Sequence, residues 1–310
     1  MRNHVINELT RMAQSNDRMM LLVADLGFNV VNQFSEAFPN RFFNVGIAEQ
    51  NLTAVSAGLA LEGNMVFTYS IGNFPTLRCI EQIRNLVCYH NANVKILAVG
   101  GGFAYGSLGM THHATEDIAM MRSLPNMRVY VPADAIEAVA CFKEICKHDG
   151  PCYLRMARGR EKDIHDDSEQ LDVTKIVSVR ESGMDVVILT AGTVLSEAVK
   201  LSDMLIKIGI KSSVYSVPAI KPIDSINIKK IARKTRLLVT IEEHNIIGGL
   251  GSAIAEVISD EIGSAPLKRF GLQDVYTSQV GNQDYLREYY GLNAGTVFDY
   301  IVKYLKGTNV

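Results

Sequence analysis

Short apolar runs alternate along the chain with stretches whose apolar positions recur every three or four residues. The runs are Met20–Ala24, Met65–Tyr69, Val94–Val99, Arg128–Val131 and Cys152–Met156, then Val186–Thr190, Ser213–Val217, Leu237–Ile241 and Leu267–Phe270. Most are rich in β-branched residues and bounded by Gly, Pro, Asn or Asp, which predicts strands. The longer period marks helices at Ile47–Leu61, Thr76–Tyr89, Ala135–Lys147 and Val194–Ile208. Alternation of the two, with strands apolar on both faces, predicts an α/β protein: two doubly wound, mostly parallel-sheet domains covered by helices.

One segment breaks the alternation. Residues 161–172, EKDIHDDSEQLD, carry six acidic residues against one lysine, a poor core and a plausible exposed linker. The chain therefore divides near residue 170, into a first domain at 1–165, an acidic linker at 166–180 and a second domain at 181–310. A length of 310 residues suits two domains. A net charge of −2 gives no electrostatic footprint for nucleic acid or an anionic membrane. No apolar run approaches the roughly 18 residues of a membrane span, and Met1-Arg2-Asn3-His4 lacks the pattern of a signal peptide. Five cysteines without a CxxC pair predict reduced thiols and a cytoplasmic protein.

Four places carry candidate chemistry. Glu49 opens a helix just after Gly46. A glutamate there is ordinarily a complement to the helix dipole. The turns that follow, Leu52 to Ala60, are small and apolar nearly all round, which predicts a buried helix and a carboxylate in need of a partner. Second, Gly100-Gly101-Gly102-Phe103-Ala104-Tyr105-Gly106-Ser107-Leu108-Gly109 follows a strand directly and leads to His112 and His113, read as opening the next helix. Strand ends are where parallel sheets bind ligands, and the glycines allow close backbone approach. Two solvated histidines on a flexible loop are the plain alternative. Adjacent histidines with no third ligand do not predict a metal. Third, Phe74, Arg78 and Arg84 follow another strand end. Core packing and salt bridges with nearby acids are their ordinary uses. Fourth, Gly248-Gly249-Leu250-Gly251-Ser252 opens a helix in the second half. It has the form of an anion site, but tight helix–strand packing explains it better.

In this order and spacing, Asp25-Leu26, Gly46-Ile47-Ala48-Glu49-Gln50, Glu81-Gln82-Ile83-Arg84-Asn85, Gly109-Met110-Thr111-His112, Pro132-Ala133-Asp134, Asp149-Gly150-Pro151, Glu242-Glu243-His244 and Gly248–Ser252 make the chain resemble the transketolase family. The resemblance covers that family's pyrimidine-binding domain followed by its C-terminal domain. It extends to deoxyxylulose-phosphate synthases and, more loosely, to the beta subunits of 2-oxo acid dehydrogenases. It implies a thiamine diphosphate enzyme that moves a two-carbon ketol unit from a ketose to an aldose through a carbanion on the cofactor. Glu49 falls on the glutamate that hydrogen-bonds N1′ of the aminopyrimidine, and Phe74 near the ring-stacking aromatic. Asp25 and Arg78 belong to the same cofactor-binding set. His112 matches the histidine at the substrate and carbanion, with His113 beside it. Arg2 and Arg158 match arginines that hold a sugar phosphate.

Two departures shape the expectation. Leu108 stands where transketolases carry a sugar-reading aspartate, and Gly100–Gly102 where relatives carry a histidine or arginine. Both predict a best substrate other than plain pentose phosphates, such as a deoxy or nucleotide-linked sugar. The family's GDG…N segment for diphosphate and Mg²⁺ is missing here, which implies a separate N-terminal subunit carrying it and a two-plus-two assembly. The alternatives are a deoxyxylulose-phosphate-synthase-like or 2-oxo acid decarboxylating subunit, or a non-catalytic assembly subunit.

Overall fold

The computed structural model describes residues 1–159, 161–166 and 170–307. The first half runs α1 (Arg2–Ala13), β1 (Met19–Val23), α2 (Asn32–Ala37), β2 (Phe42–Asn44), α3 (Glu49–Leu61), β3 (Met65–Ile71), α4 (Ile80–Gln82), β4 (Val94–Val99), α5 (Asp117–Ser123), β5 (Arg128–Tyr130), α6 (Ala135–Lys147) and β6 (Cys152–Met156). The second runs β7 (Val177–Glu181), β8 (Val186–Thr190), α7 (Leu195–Lys207), β9 (Ser212–Ser216), β10 (Ala219–Lys221), α8 (Ser225–Ala232), β11 (Leu237–Asn245), α9 (Leu250–Ser259), β12 (Leu267–Leu272), α10 (Gln283–Tyr289) and α11 (Ala294–Leu305).

Two sheets result, as the alternation predicts. The first has the order β10-β5-β6-β4-β3-β1-β2 and the second β12-β11-β8-β9-β7. All neighbours are parallel except β10 against β5 and β7 against β9. The central strand β4 is buried along its whole length, which is why it reads as a continuous apolar run rather than an alternation. Its one charge, Lys95, is also buried, and Nζ donates to the carbonyls of His148 and Gly150, both at 2.6 Å. Asp134, Asp224, Asn282 and Asn293 start α6, α8, α10 and α11 by accepting a backbone N–H of the first turn.

Three strands, β2, β7 and β10, have no counterpart among the apolar runs, because they are short or half-exposed edge strands. Strand β10 belongs to the second half of the sequence but completes the first sheet. The predicted helix at Thr76–Tyr89 is broken into a 3₁₀ turn at Leu77–Cys79, the single turn α4, and a wide π turn at Ile83–Cys88. In the last, Tyr89 N donates to the Arg84 carbonyl five residues back, at 3.0 Å.

The acidic segment is exposed at Lys162, Asp163, Asp166 and Asp172. Its residues 167–169 lie outside the described residues. Others of its described residues are anchored. Asp134 Oδ2 accepts from the backbone of Ile164 and of His165, each at 2.9 Å, and lies 2.8 Å from His165 Nδ1. Glu161 pairs with the amino terminus, and Leu171 and Val173 pack on the core of the first half. A buried aspartate that also caps α6 is the anchor that composition does not reveal. Among the described residues no helix is long and apolar enough to cross a membrane.

Because β1, β3, β4 and β6 are parallel neighbours, their carboxyl ends open on one edge. Asp25, the turn at Gly72–Phe74, Gly100 and Arg158 follow those ends directly, at the place where such sheets take ligands.

Candidate active site

Glu49 is the first residue of α3 and only 2% exposed. The chain reaches it from β2 through Gly46 at φ +74. A buried carboxylate needs a counter-charge, and Arg78 provides it: Nη1 donates to Oε2 at 2.6 Å. Gln50 Nε2 in turn donates to the Arg78 carbonyl at 3.0 Å, holding that arginine's backbone in place. The Arg78 guanidinium carbon lies 5.0 Å from the centroid of the Phe74 ring. Phe74, half-buried in the turn after β3, meets the His112 ring edge-on at 5.2 Å and 71°. Glu49, Arg78, Phe74 and His112 thus form one unbroken chain of contacts.

His112 ends a 3₁₀ turn, Met110–His112, and does not open a helix; the next helix, α5, begins at Asp117. The turn is clamped from the neighbouring strand end. Asn73 Nδ2 donates to the carbonyls of Thr111 at 3.2 Å and His113 at 2.8 Å. Thr111 Oγ1 and His112 Nδ1 share a hydrogen bond of 3.0 Å, which leaves Nε2 of this half-buried ring for other work.

His113 requires a correction. Sequence reasoning pairs it with His112 at the substrate. In the structure it is 1% exposed, Nδ1 is 2.6 Å from Thr277 Oγ1 and Nε2 is 3.0 Å from the Gly106 carbonyl. Burial lowers its pKa below the usual histidine value. Both ring nitrogens are engaged, so His113 ties the glycine loop to the second half of the chain and presents nothing to a ligand.

The glycine loop is also read differently once its surroundings are visible. A Cβ on Gly100 would sit 2.2 Å from the Tyr105 ring, on Gly101 2.7 Å from Arg155, and on Gly102 2.3 Å from Glu243 Oε2. The close approaches that these glycines permit are therefore made by the protein's own side chains. Arg155, buried, donates from Nε to Asp117 Oδ2 at 2.8 Å and from Nη2 to the Glu243 carbonyl at 2.9 Å. Glu243 Oε2 accepts from Phe103 N at 3.1 Å and from Gln283 Nε2 at 2.8 Å. Arg287 pairs with its other oxygen.

Beyond the loop, the Arg158 guanidinium carbon lies 5.0 Å from the Tyr105 ring centroid. The Tyr105 and His112 rings are 6.3 Å apart. Arg2, at the start of α1, bears on the hydroxyl of Tyr69 at the end of β3; burial pushes that phenol up to about 12, and the arginine's charge opposes the shift. The structure therefore gathers Glu49, Phe74, Arg78, His112, Arg158 and Arg2 around one edge. Asp25 stands on the same edge at φ +52, but it is tied to Asn44: Asn44 Nδ2 donates to Asp25 Oδ1, and Asp25 N to Asn44 Oδ1, each at 3.0 Å.

Tyr69, Asn73, Tyr105 and Glu243 are the residues that sequence reasoning did not single out as site residues. Tyr105 lies inside the glycine loop and Glu243 inside the Glu242-Glu243-His244 motif, so both carried a signal. The Gly248–Ser252 helix start needs no ligand. Glu242 Oε2 accepts from Leu250 N at 2.6 Å and Oε1 from Gly251 N at 2.9 Å, and a Cβ on Gly249 would lie 2.1 Å from that carboxylate. The packing explanation accounts for it.

Phe74 brings an aromatic ring and Glu49 a buried carboxyl, the kinds of group that a flat nitrogen heterocycle would need.

Comparison with known proteins identifies the family. Residues 1–161 match the family model described as transketolase, pyrimidine binding domain, and residues 174–297 the one described as transketolase, C-terminal domain. The chain is 37% identical over 301 residues to a putative transketolase C-terminal section of Methanocaldococcus jannaschii, covering 96% of this chain and 94% of that one. It is 37% identical over 295 residues to the 6-deoxy-6-sulfo-D-fructose transketolase subunit SqwH of Clostridium sp. (strain MSTE9), covering 95% and 91%. A solved structure described as a split gene transketolase, inactive beta4 tetramer, superposes with a TM-score of 0.87 at 38% identity, covering 99% of this chain and 98% of that one.

Proposed function

Since this chain belongs to the transketolase family, we propose that it is the C-terminal subunit of a two-chain transketolase that moves a two-carbon ketol unit from a ketose donor to an aldose acceptor. Its first domain, 1–165, is the pyrimidine-binding domain, joined through 166–180 to a C-terminal domain at 181–310. A separate chain carries the GDG…N segment that holds the diphosphate and Mg²⁺, and two copies of each chain assemble in the cytoplasm. The name of the relative described as a split gene transketolase, inactive beta4 tetramer, supports the division of labour. So does the apolar outer surface around α3, where Ile47 is 78% and Leu61 58% exposed. The period predicts a helix buried all round, and the face left bare is the one a partner would cover. The five cysteines are all free thiols, which suits a reducing compartment.

The observation that carries this reading is the contact chain from Glu49 through Arg78 and Phe74 to His112. Thiamine diphosphate, when bound, supplies the nucleophilic carbon and the electron sink that carbon–carbon cleavage needs. With the cofactor bound, Glu49 would share a proton with a nitrogen of its pyrimidine ring. Phe74 would pack against that ring, and Arg78 and Asp25 would keep the carboxyl and the strand edge in register. His112, its orientation set by Thr111 and Phe74, moves protons at the hydroxyl next to the breaking bond. Arg2 and Arg158 take the anionic end of the sugar. Leu108, exposed on the rim of the glycine loop, offers no partner to a sugar hydroxyl. A deoxy sugar therefore loses little here, and the name of the relative acting on 6-deoxy-6-sulfo-D-fructose supports that class of substrate.

Reconstitution tests the reading. The purified chain alone is expected to give no turnover, and addition of the partner chain to restore cofactor binding and ketol transfer, with deoxy or substituted ketoses ahead of plain pentose phosphates in a substrate panel. Ketol transfer by the lone chain, carbon dioxide release from pyruvate, or an assembled pair without any turnover would overturn it.

A further inference from the structure

Tyr105 is nearly buried within a loop of glycines. Its seat is Gly100, at the end of β4. With φ at +94 and no side chain, Gly100 lets ring atoms Cδ2 and Cε2 come within 2.2 Å of the point where a Cβ would be. From that seat the ring meets two groups. One is the ring of His112, with centroids 6.3 Å apart and planes inclined by 58°. The other is Arg158, whose guanidinium carbon is 5.0 Å from the ring centroid. Arg158 is exposed just past the end of β6. A long side chain in that position has many rotamers open to it, and an aromatic face narrows them by attracting the cation.

Resting on the assignment of Arg158 to the anionic end of a sugar, we propose that Tyr105 is a positioning residue that sets substrate specificity. It neighbours both His112 and Arg158, and by holding Arg158 against its ring it sets the reach from the reacting end of the sugar to a terminal tetrahedral oxyanion. The ligand class is a ketose or aldose ending in phosphate or sulfonate. Gly100 is part of the same device, since any side chain there would displace the ring.

The test separates the aromatic face from mere bulk. Tyr105→Leu keeps an apolar side chain against Gly100 and removes the π face; Tyr105→Phe keeps the face and loses only the hydroxyl. The full chain is titrated by calorimetry with a ketose phosphate, a ketose sulfonate and the unsubstituted ketose, and KM and kcat are measured on the enzyme assembled with its partner chain. In Tyr105→Leu, binding of both anionic sugars is expected to weaken, and their KM to rise, about fivefold. The loss is expected to be smaller for the unsubstituted sugar. Tyr105→Phe is expected to remain within about twofold of wild type. The proposal is overturned if Tyr105→Leu binds the anionic sugars normally, if it weakens all three alike, or if Tyr105→Phe behaves like Tyr105→Leu. It also falls if the wild-type chain does not prefer anionic sugars in the calorimeter. Preference without ketol transfer would instead remove the proposed reaction and leave Tyr105 in place. Unequal loss of phosphate and sulfonate tells which oxyanion the seat is built for, and either supports the proposal.

Discussion

Glu49 shows what a single residue type can and cannot reveal. A glutamate at a helix start is commonplace, and the apolar turns after it pointed to burial. The ion pair to Arg78 is the new information. It makes a sharp forecast for Glu49→Gln. The amide keeps the volume and one acceptor for Arg78, whose half-exposed guanidinium can return to water. Melting should therefore cost no more than about 1 kcal/mol. An amide cannot supply an acidic proton to the pyrimidine nitrogen, so turnover of the assembled enzyme should fall about 10²–10⁴-fold. Hydrogen–deuterium exchange at the cofactor's thiazolium C2, measured beside the melting temperature, checks both halves. Normal exchange in a folded, cofactor-loaded variant would leave Glu49 a helix-end complement and nothing more. His113 and Gly100–Gly102 teach the opposite lesson. Their types suggested ligand chemistry, yet their surroundings belong to the protein. Sequence gives a residue's chemistry but not what fills the space next to it.

At the scale of elements, the strands that run through the cores were legible because burial on both faces writes itself as continuous apolar composition. Edge strands β2, β7 and β10 were not: β2 and β7 are half-wet, and β10 is only three residues long. The turns at 77–88 were also hidden. Their apolar spacing fits a helix, and backbone hydrogen-bond length, which spacing does not encode, decides the rest. The element that matters most for the site is the glycine loop, and it is held from the second domain. Glu243 on β11 accepts the Phe103 amide, while Gln283 and Arg287 on α10 hold Glu243. Glu243→Gln leaves the buried Arg287 with only the exposed Asp284, 3.7 Å away, as a charge partner, and should lower stability by about 3–5 kcal/mol. It should also speed hydrogen exchange at the Phe103 amide ahead of the rest of the first sheet. Unchanged protection at that amide would mean that the loop is held by other contacts.

For the molecule as a whole, the seam between the halves is lined by neutral histidines. His244 on β11 has Nε2 accepting from Ala119 N at 3.3 Å, and its Nδ1 lies 2.7 Å from the Asn245 carbonyl. Burial pushes its pKa down to about 4. His113, bridging Gly106 and Thr277, is shifted the same way. A histidine whose folded pKa is depressed binds fewer protons folded than unfolded. Its stabilising effect is complete above the ordinary value near 6.5 and is lost as pH falls through 4. For His244 alone this amounts to at most about 3 kcal/mol. Denaturant unfolding at a series of pH values from 7 to 4 should show the decline, with a shallower slope in His244→Gln. Equal slopes in the two proteins would clear His244 of the effect.

Strand β10 has a consequence for how such a chain can be inherited. The second half lends three residues, Ala219–Lys221, to the rim of the first sheet, beside β5. A gene broken between the two halves would give a first product whose sheet ends in a raw edge at β5, ready to pair with any passing strand. Its complement would carry a strand with nothing to join. Recombination can exchange such a chain whole, or alter the loops at its carboxyl edge. It cannot trade one half for a foreign counterpart unless the newcomer brings a matching strand.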